Sequence, residues 1–456
     1  MKRAPVILPL MLGTFMAALD NSIVNVSLPV MQQQFRVRID DIQWVITAYM
    51  LAFCVFMPLT NWLKSRIGLF NLYVISISVF LAGSILSGFA PSLTFLIAAR
   101  IVQALGGGAL TPVALAMLSS VYGPEQRGRI MGWWGMGVVV GPALGPTLGG
   151  VITQYLGWPY IFFVNVPFGL IALVLSFAHL KEIGRRSGLP GRFDLLGYSY
   201  FTIAVIALQY GIARIEKTGL HSPQTYGTFA VAIAFLALFV RKETQVRGPV
   251  LDLSLFKYPV FVAGILVTAI RSVALFGGLF LLPFLLQNLM GYSELQTGLL
   301  LLPASVVLAG LMPLAGSWSD RHGPRNITIA GLVLIALASA MLAFLDRGSG
   351  VFLVIAAMVL RGAGLGFLFS PVSAAVLNGV QPRQVTTASS YYSLFMQLGG
   401  SIGISILAAV HQHIVGAQPG RPDLLHRALE TGFLLSAGLI LLAIWPAGSL
   451  ALSNRT

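Results

Sequence analysis

Fourteen apolar runs, each near the roughly 20 residues that an α-helix needs to cross a bilayer, leave this chain few folds to choose from. They fall at 5–28, 42–63, 70–90, 93–119, 129–154, 159–179, 194–213, 224–240, 258–287, 294–317, 326–345, 351–378, 385–411 and 429–450. A backbone inside hydrocarbon must satisfy its own N–H and C=O groups, and runs of this length do so as helices. The expected fold is an all-α polytopic membrane protein. Composition agrees: 57% of the residues are hydrophobic and 9% charged, against about 25% charged in soluble domains.

Several function classes drop out at this stage. The net charge of +14 is scattered in short clusters between the apolar runs, with no basic helix and no aromatic RNA-binding pattern, so nucleic acid is not an expected partner. A single cysteine, Cys54, rules out an internal disulfide and a cysteine-based metal centre. No phosphate-binding G-x-x-x-x-G-K-[ST] loop is present, so the chain is not expected to hydrolyse ATP, and neither enzyme chemistry nor a cofactor is expected. Any uphill movement must draw on an ion gradient or on a partner. The basic start Met1-Lys2-Arg3 and the apolar run after it lack a small-residue cleavage site, which reads as an uncleaved first span.

Basic residues set the expected orientation, because they flank the cytoplasmic ends of spans. With the N-terminus inside, eighteen Lys and Arg lie in cytoplasmic segments, seven lie outside, and Arg100, Arg271 and Arg361 fall within spans. Both termini are therefore expected to be cytoplasmic. A weak repeat divides the chain further. The loop Asn61-Trp62-Leu63-Lys64-Ser65-Arg66-Ile67-Gly68 resembles Gly316-Ser317-Trp318-Ser319-Asp320-Arg321-His322-Gly323, and the stretch from Arg100 to Pro112 is echoed from Arg361 to Pro371. The domain reading is a six-helix bundle at 1–180, two additional spans with their linkers at 181–257, and a second six-helix bundle at 258–456. Two such halves about an axis along the membrane normal are a transporter architecture, with the substrate site between them near mid-membrane.

Asp20 is the acidic residue that lies well inside a span. An ionised group at that depth costs roughly 2.5 kcal/mol or more, so it needs a partner, water or a proton. At about 1.5 Å of rise per residue, and with Pro29 taken as the outer end of the first span, Asp20 lies roughly 13 Å deep; Arg100, Arg271 and Arg361 fall near the same level. Four formal charges at one height point to a shared polar cavity. Two readings of Asp20 stand side by side: a proton carrier or substrate contact, and a fixed ion pair with an arginine. Arg100 either tunes Asp20 or ties its helix to a backbone carbonyl. Arg271 and Arg361, with no acid in their own spans, either meet an anionic group on a substrate or are satisfied by carbonyls and water.

These motifs resemble the major facilitator superfamily, and within it the fourteen-helix drug:proton antiporter branch (the EmrB/QacA type). Leu19-Asp20-x-x-Ile23-Val24-Asn25-Val26-x-Leu28-Pro29 resembles that branch's first-helix motif, and Arg100-x-x-Gln103-x-x-Gly106-Gly107 the fourth-helix motif. Gly137-x-x-x-Gly141-Pro142-x-x-Gly145-Pro146-x-x-Gly149-Gly150 resembles the fifth-helix antiporter motif. Arg192-Phe193-Asp194-x-x-Gly197 and Gln397-Leu398-Gly399-Gly400-Ser401-Ile402-Gly403 also match stretches of the branch. In the first loop this chain has Asn61 and Ser65 where the family pattern has Gly and Asp; Asp320 keeps the acid in the second copy.

The resemblance implies the major facilitator fold of two six-helix bundles plus two extra helices, in a bacterial inner (cytoplasmic) membrane. It implies multidrug-type export of amphipathic small molecules in exchange for protons by alternating access. The runner-up is a facilitator of anionic or lipid-like amphiphiles without obligatory proton coupling. Proton coupling is expected at Asp20 and Arg100. Substrate contacts are expected at Asn21, Asn25, Arg271, Arg361, Phe276, Phe280, Tyr391, Phe395 and Gln397. Gating is expected at Gly137, Gly141, Pro142, Gly145, Pro146 and Gly149 and at the loop residues Ser65, Arg66, Gly68, Asp320 and Arg321. Expected partners are a hydrophobic or amphipathic small molecule, protons and membrane lipids; no metal site is expected, a periplasmic adaptor is not identified, and a monomer is expected.

Overall fold

A computed structural model describes residues 6–122, 141, 144–183, 193–218, 222–246, 251–381, 384–415 and 422–450. Among them, thirteen helices are long and apolar enough to cross a membrane, and residues 144–155 form a further helical stretch. In chain order the helices are α1 (Ile7–Phe35), α2 (Ile39–Phe56), α3 (Leu69–Gly88), α4 (Leu93–Val121), α5 (144–155), α6 (Tyr160–His179), α7 (Leu195–Thr218), α8 (Pro223–Glu243) and α9 (Pro259–Leu289). They continue with α10 (Glu294–His322), α11 (Pro324–Ala343), α12 (Val351–Asn378), α13 (Val385–Val415) and α14 (Pro422–Leu442). No strand occurs among the described residues, as a chain that must satisfy its backbone inside lipid requires.

Local chemistry sets several of the ends. Ser92 caps α4 by accepting from the Phe95 N–H at 3.3 Å. Pro223 opens α8 behind the Ser222 cap, where a missing N–H costs nothing. Ser293 and Gln296 close a reciprocal capping box on α10. The two repeated loops turn on Gly68 (φ 83°) and Gly323 (φ 85°), a region that glycine alone enters freely. Trp62 takes Arg66 over its ring at 5.4 Å, and Trp318 meets His322 at 6.2 Å, so the echo between the loops extends to their backbone and aromatic contacts.

Several boundaries differ from expectation, that of the first span with the largest consequence. Pro29 does not end the first span: α1 runs through it to Phe35 and closes at Arg36, whose φ is 54°. Pro29 is buried within the helix, and neighbouring helices support a proline there. Asp20 is thus fifteen residues from the helix end, roughly 22 Å along the axis rather than 13 Å. At the C-terminus, α14 starts at Pro422, ahead of the expected position 429, and ends at Leu442.

Packing forms two groups. The helices α1, α2, α3, α4 and α6 pack on one another, as do α9 to α14, while α7 and α8 pair together and lean on α13 and α2. Gln209 of α7 reaches across to the Ser401 carbonyl at 3.2 Å and to Ser405 Oγ. The two groups meet along α2 and α13 and, at the end taken as outer from the basic residues, through α1 and α5 against α9 and α10. There Gln287 donates to the Val26 carbonyl at 2.8 Å, Thr147 donates to the Gly298 carbonyl at 3.1 Å, and Leu295 N–H donates to Gln154 Oε1 at 3.0 Å.

The glycine-rich run late in the chain is explained by α9 and α13, which lie backbone to backbone. Gly399 and Gly403 face the Ala269 and Val273 carbonyls, and Gly277 faces the Gly403 carbonyl. A side chain at these points would hold the helices apart. Gly403→Val should therefore lower the thermal denaturation midpoint of the purified protein, costing about 1–3 kcal/mol; an unchanged midpoint would show that α9 and α13 separate freely.

Candidate functional site

Asp20 is fully buried in the first helical group, and its carboxylate is held by three donors from two neighbouring helices. Arg100 Nη1 approaches Oδ2 at 2.5 Å, Gln103 Nε2 donates to Oδ1 at 2.9 Å, and Asn165 Nδ2 donates to the same oxygen at 2.9 Å. Arg100 and Gln103 are one turn apart on α4 and also bond each other at 2.6 Å. Close approach of α3 and α4 brings up a further member. Gly83 and Gly106 face backbone of the opposite helix, which lets Ser84 of α3 accept from Gln103 at 3.2 Å and from Asn165 at 3.0 Å. α2 adds further contacts to the Arg100 head: Nε donates to the Val45 carbonyl at 3.2 Å, and the guanidinium carbon sits 4.1 Å from the Tyr49 ring centre. A cation stacked on an aromatic face and paired with a carboxylate is about as well compensated as a buried charge can be.

The four charges expected at one level therefore do not share a cavity. Asp20 and Arg100 are a closed pair inside the first group, with exposures of 0% and 1%. Arg271 and Arg361 lie in the second group with other partners. Arg271 donates to Tyr392 Oη at 2.7 Å and stacks on Phe369 at 4.5 Å. Arg361 donates through Nη2 to the Leu275 carbonyl at 2.8 Å. Residue height fixed only the level; which face of its helix each residue occupies separates the two clusters.

The expected substrate residues are also dispersed. Asn25 turns back on its own helix and donates to the Asn21 carbonyl at 3.2 Å, while Asn21 keeps a buried side-chain oxygen without a partner. Phe280 is buried and packs on Phe284 at 5.3 Å. Phe276 lies over Gly400. Tyr391 stacks on Phe395 at 6.4 Å near Phe256 and Phe261, and Gln397 is buried in α13. These aromatic contacts belong to two hydrophobic clusters. The α7–α8 pair carries a separate apolar groove of about 370 Å³ lined by residues such as Ile203, Tyr210 and Val231, and it holds none of the expected site residues.

The gating candidates reach Asp20 indirectly. Gly141, Gly145 and Gly149 of the fifth helix face α1 at Leu19, Ser22 and Ile23, so a nearly bare helix face rests on the segment that carries Asp20. The Pro146 carbonyl faces Gly298 of α10. Gly137 and Pro142 lie outside the described residues, as does the Asp320 side chain. Ser65 donates to the Trp62 carbonyl at 2.7 Å, Arg66 lies over Trp62, and Arg321 is exposed at the end of α10.

Two participants escaped sequence reasoning. Ser84 and Tyr49 are ordinary residues of apolar spans, and only the α3–α4 and α2–α4 packing brings them to the charge pair. His411 is buried with both ring nitrogens unpartnered and lies 6.4 Å from Phe284; α13 continues past it to Val415.

With this geometry in place, the comparisons with known proteins fall into line. The model of the Major Facilitator Superfamily matches residues 10–404. The multidrug resistance protein Stp of Mycobacterium tuberculosis (strain CDC 1551 / Oshkosh) is 35% identical over 88% of this chain and 74% of its own length. The tetracenomycin C resistance and export protein of Streptomyces glaucescens is 29% identical over 90% of this chain and 76% of its own. The riboflavin transporter RibZ of Clostridioides difficile is 30% identical over 89% and 87%. Among solved structures, a bacterial homologue of the human lysosomal transporter Spinster superposes with a TM-score of 0.69 over 99% of both chains at 17% identity, and the xylose transporter XylE of E. coli with 0.67 over 100% and 98% at 12%. Such structural likeness bears on the fold alone, while the match to the family model and the identity to curated relatives cover most of the sequence. The chain is a multi-pass, all-helical member of the major facilitator superfamily, a family of transporters rather than enzymes.

Proposed function

We propose that this chain exports amphipathic small molecules across a bacterial inner membrane in exchange for protons, by alternating access, with Asp20 as the coupling acid. The observation that carries the proposal is the ring of donors around Asp20. Arg100, Gln103 and Asn165 each present hydrogen to the carboxylate and fill three of its roughly four acceptor positions, so a protonated Asp20 is surrounded by donors and needs an acceptor for its own O–H. Asn165 supplies the way out, because its Oδ1 is buried without a partner. Turning that amide over would accept the Asp20 O–H and withdraw two donated bonds, to Asp20 and to Ser84. Protonation would also weaken the contact to Arg100, which ties α4 to α1 and α2. Proton loading and helix position are thereby linked. Since Asp20 has no exposed surface in the arrangement seen, proton exchange belongs to a conformation in which these helices have parted. Names of relatives such as the tetracenomycin C resistance and export protein support the direction and substrate class.

A second reading is favoured by the same burial. A pair with 0% and 1% exposure that bonds across helices is also what a fixed structural tie would look like, and transport would then be facilitated diffusion of anionic or lipid-like amphiphiles without obligatory coupling. Asp20→Asn separates the two readings. In proteoliposomes it should abolish dye transport driven by a pH gradient while leaving dye exchange without a gradient in place; gradient-driven transport at the wild-type rate would end the coupling proposal.

Energetics give an independent check on the pair itself. Arg100→Met alone leaves a buried carboxylate uncompensated and should destabilise the protein by about 3–5 kcal/mol. The double variant with Asp20→Asn should recover most of that loss in thermal denaturation. Losses that simply add would mean that the two residues do not act on each other.

A further inference from the structure

The two helical groups treat their equivalent arginines differently. Arg100 of α4 and Arg361 of α12 open similar stretches, each followed by glycines and a proline inside the helix, Pro112 and Pro371. In the first group Arg100 reaches α1 and finds Asp20, nine residues before the intrahelical Pro29. In the second group Arg361 reaches α9, where the residue nine before the intrahelical Pro283 is Ala274. With no acid at that point, Arg361 donates instead to the carbonyl of the next residue, Leu275, at 2.8 Å. Its other terminal nitrogen, Nη1, is buried and has no partner, and it lies against Gly278, where a Cβ would touch it at 3.5 Å.

One turn of α9 below Leu275 lies Arg271. Residues four or seven apart on a helix share a face, and Arg361, bonded to the Leu275 carbonyl, lies against Gly278, seven residues along α9 from Arg271. Arg271 is 1% exposed and Arg361 4%. Neither forms an ion pair among the described residues, and Arg271 Nε is a second buried donor without a partner. Phe369 and Tyr392 flank the Arg271 guanidinium. Two buried cations with no ion pair among the described residues, each with one unpartnered nitrogen, are costly unless an anion visits them.

We propose that Arg361 and Arg271 form an anion-binding subsite in the second helical group, where the carboxylate, sulfonate or phosphate of an amphipathic substrate takes the place that Asp20 fills in the first. The aromatic rings of Phe369 and Tyr392 suit the apolar body of such a molecule. The inference rests on the reading of the chain as a carrier of amphipathic small molecules, and it names the anionic members of that class as the ones bound. It does not depend on proton coupling at Asp20.

Binding to the purified protein in lipid nanodiscs tests it without any gradient. Fluorescein and anilinonaphthalene sulfonate serve as anionic probes, with tetramethylrhodamine methyl ester as a cationic probe built on a related ring system. Arg361→Met and Arg271→Met should each weaken the anionic probes on the order of tenfold, leave the cationic probe unchanged or tighter, and leave the unligated protein at least as stable to heat. Arg361→Lys should restore part of the anionic binding. Three outcomes would overturn the inference: equal loss of all probes together with a lower unligated melting midpoint, which marks a structural role; unchanged anionic binding in both variants; or heat stabilisation of the wild type by chloride alone with none from the anionic probes, which marks an inorganic anion site. Should Arg361→Met fail to fold, Arg271→Met alone decides by the same readings. Failure of proton coupling in the Asp20→Asn variant would leave these results intact, so the two proposals fail separately.

Discussion

A carboxylate and a guanidinium buried together inside lipid set the terms for the first helical group. Either charge alone at that depth is costly, and the pair is held by the hydrogen bonds that its neighbours make to it. That network reaches five helices: α1 carries Asp20, α4 carries Arg100 and Gln103, α6 carries Asn165, α3 carries Ser84, and α2 supplies the Val45 carbonyl and the Tyr49 ring. A shift of any of these helices disturbs the hydrogen bonding of the acid, and the proposed coupling runs the same link in reverse. In a low-dielectric interior such networks are high in stakes, because a half-satisfied one is worse than an apolar core.

The second group is built on other terms. Its central pair, α9 and α13, is drawn together by glycines facing carbonyls rather than by charge, and its arginines rest on a carbonyl, a tyrosine hydroxyl and aromatic faces. The halves share a repeat in loop geometry, seen in the matching backbone of Gly68 and Gly323, yet differ in charge balance at their centres. The repeated scaffold thus carries a paired charge in one half and arginines without an ion pair among the described residues in the other. The α7–α8 pair adds a third element, anchored by Gln209 to α13, and it presents mostly apolar side chains outward.

Much of this was legible in the sequence. The helical fold followed from run length and from the exclusion of unsatisfied backbone in hydrocarbon, and Asp20 and Arg100 stood out because charge inside a span needs a reason. The meeting of the two was less legible. Depth along a helix can be counted, but azimuth is blurred when a helix is apolar all round, so the level expected for Arg271 and Arg361 carried no account of which way they turn. Ser84 and Tyr49 could not be found because nothing distinguishes them from other small or aromatic residues of a span until the α3–α4 glycines bring them in. Pro29 misled for a physical reason: proline commonly ends helices in water, whereas here it is buried within a bundle that supports the broken bond, and α1 continues to Phe35. Of the glycines expected to gate, Gly141, Gly145 and Gly149 face the helix that carries Asp20.

The claim at the centre is that Asp20 takes up a proton and that doing so loosens Arg100. Infrared difference spectroscopy of the purified protein in lipid, recorded between neutral and acidic buffer, observes this directly. The expected result is a protonated-carboxyl C=O band from a buried acid, accompanied by a change in arginine guanidinium bands, with the carboxyl band lost in Asp20→Asn and the guanidinium change lost in Arg100→Met. A spectrum with no such band, or one that survives in Asp20→Asn, would contradict the account and leave Asp20 as a fixed tie between helices.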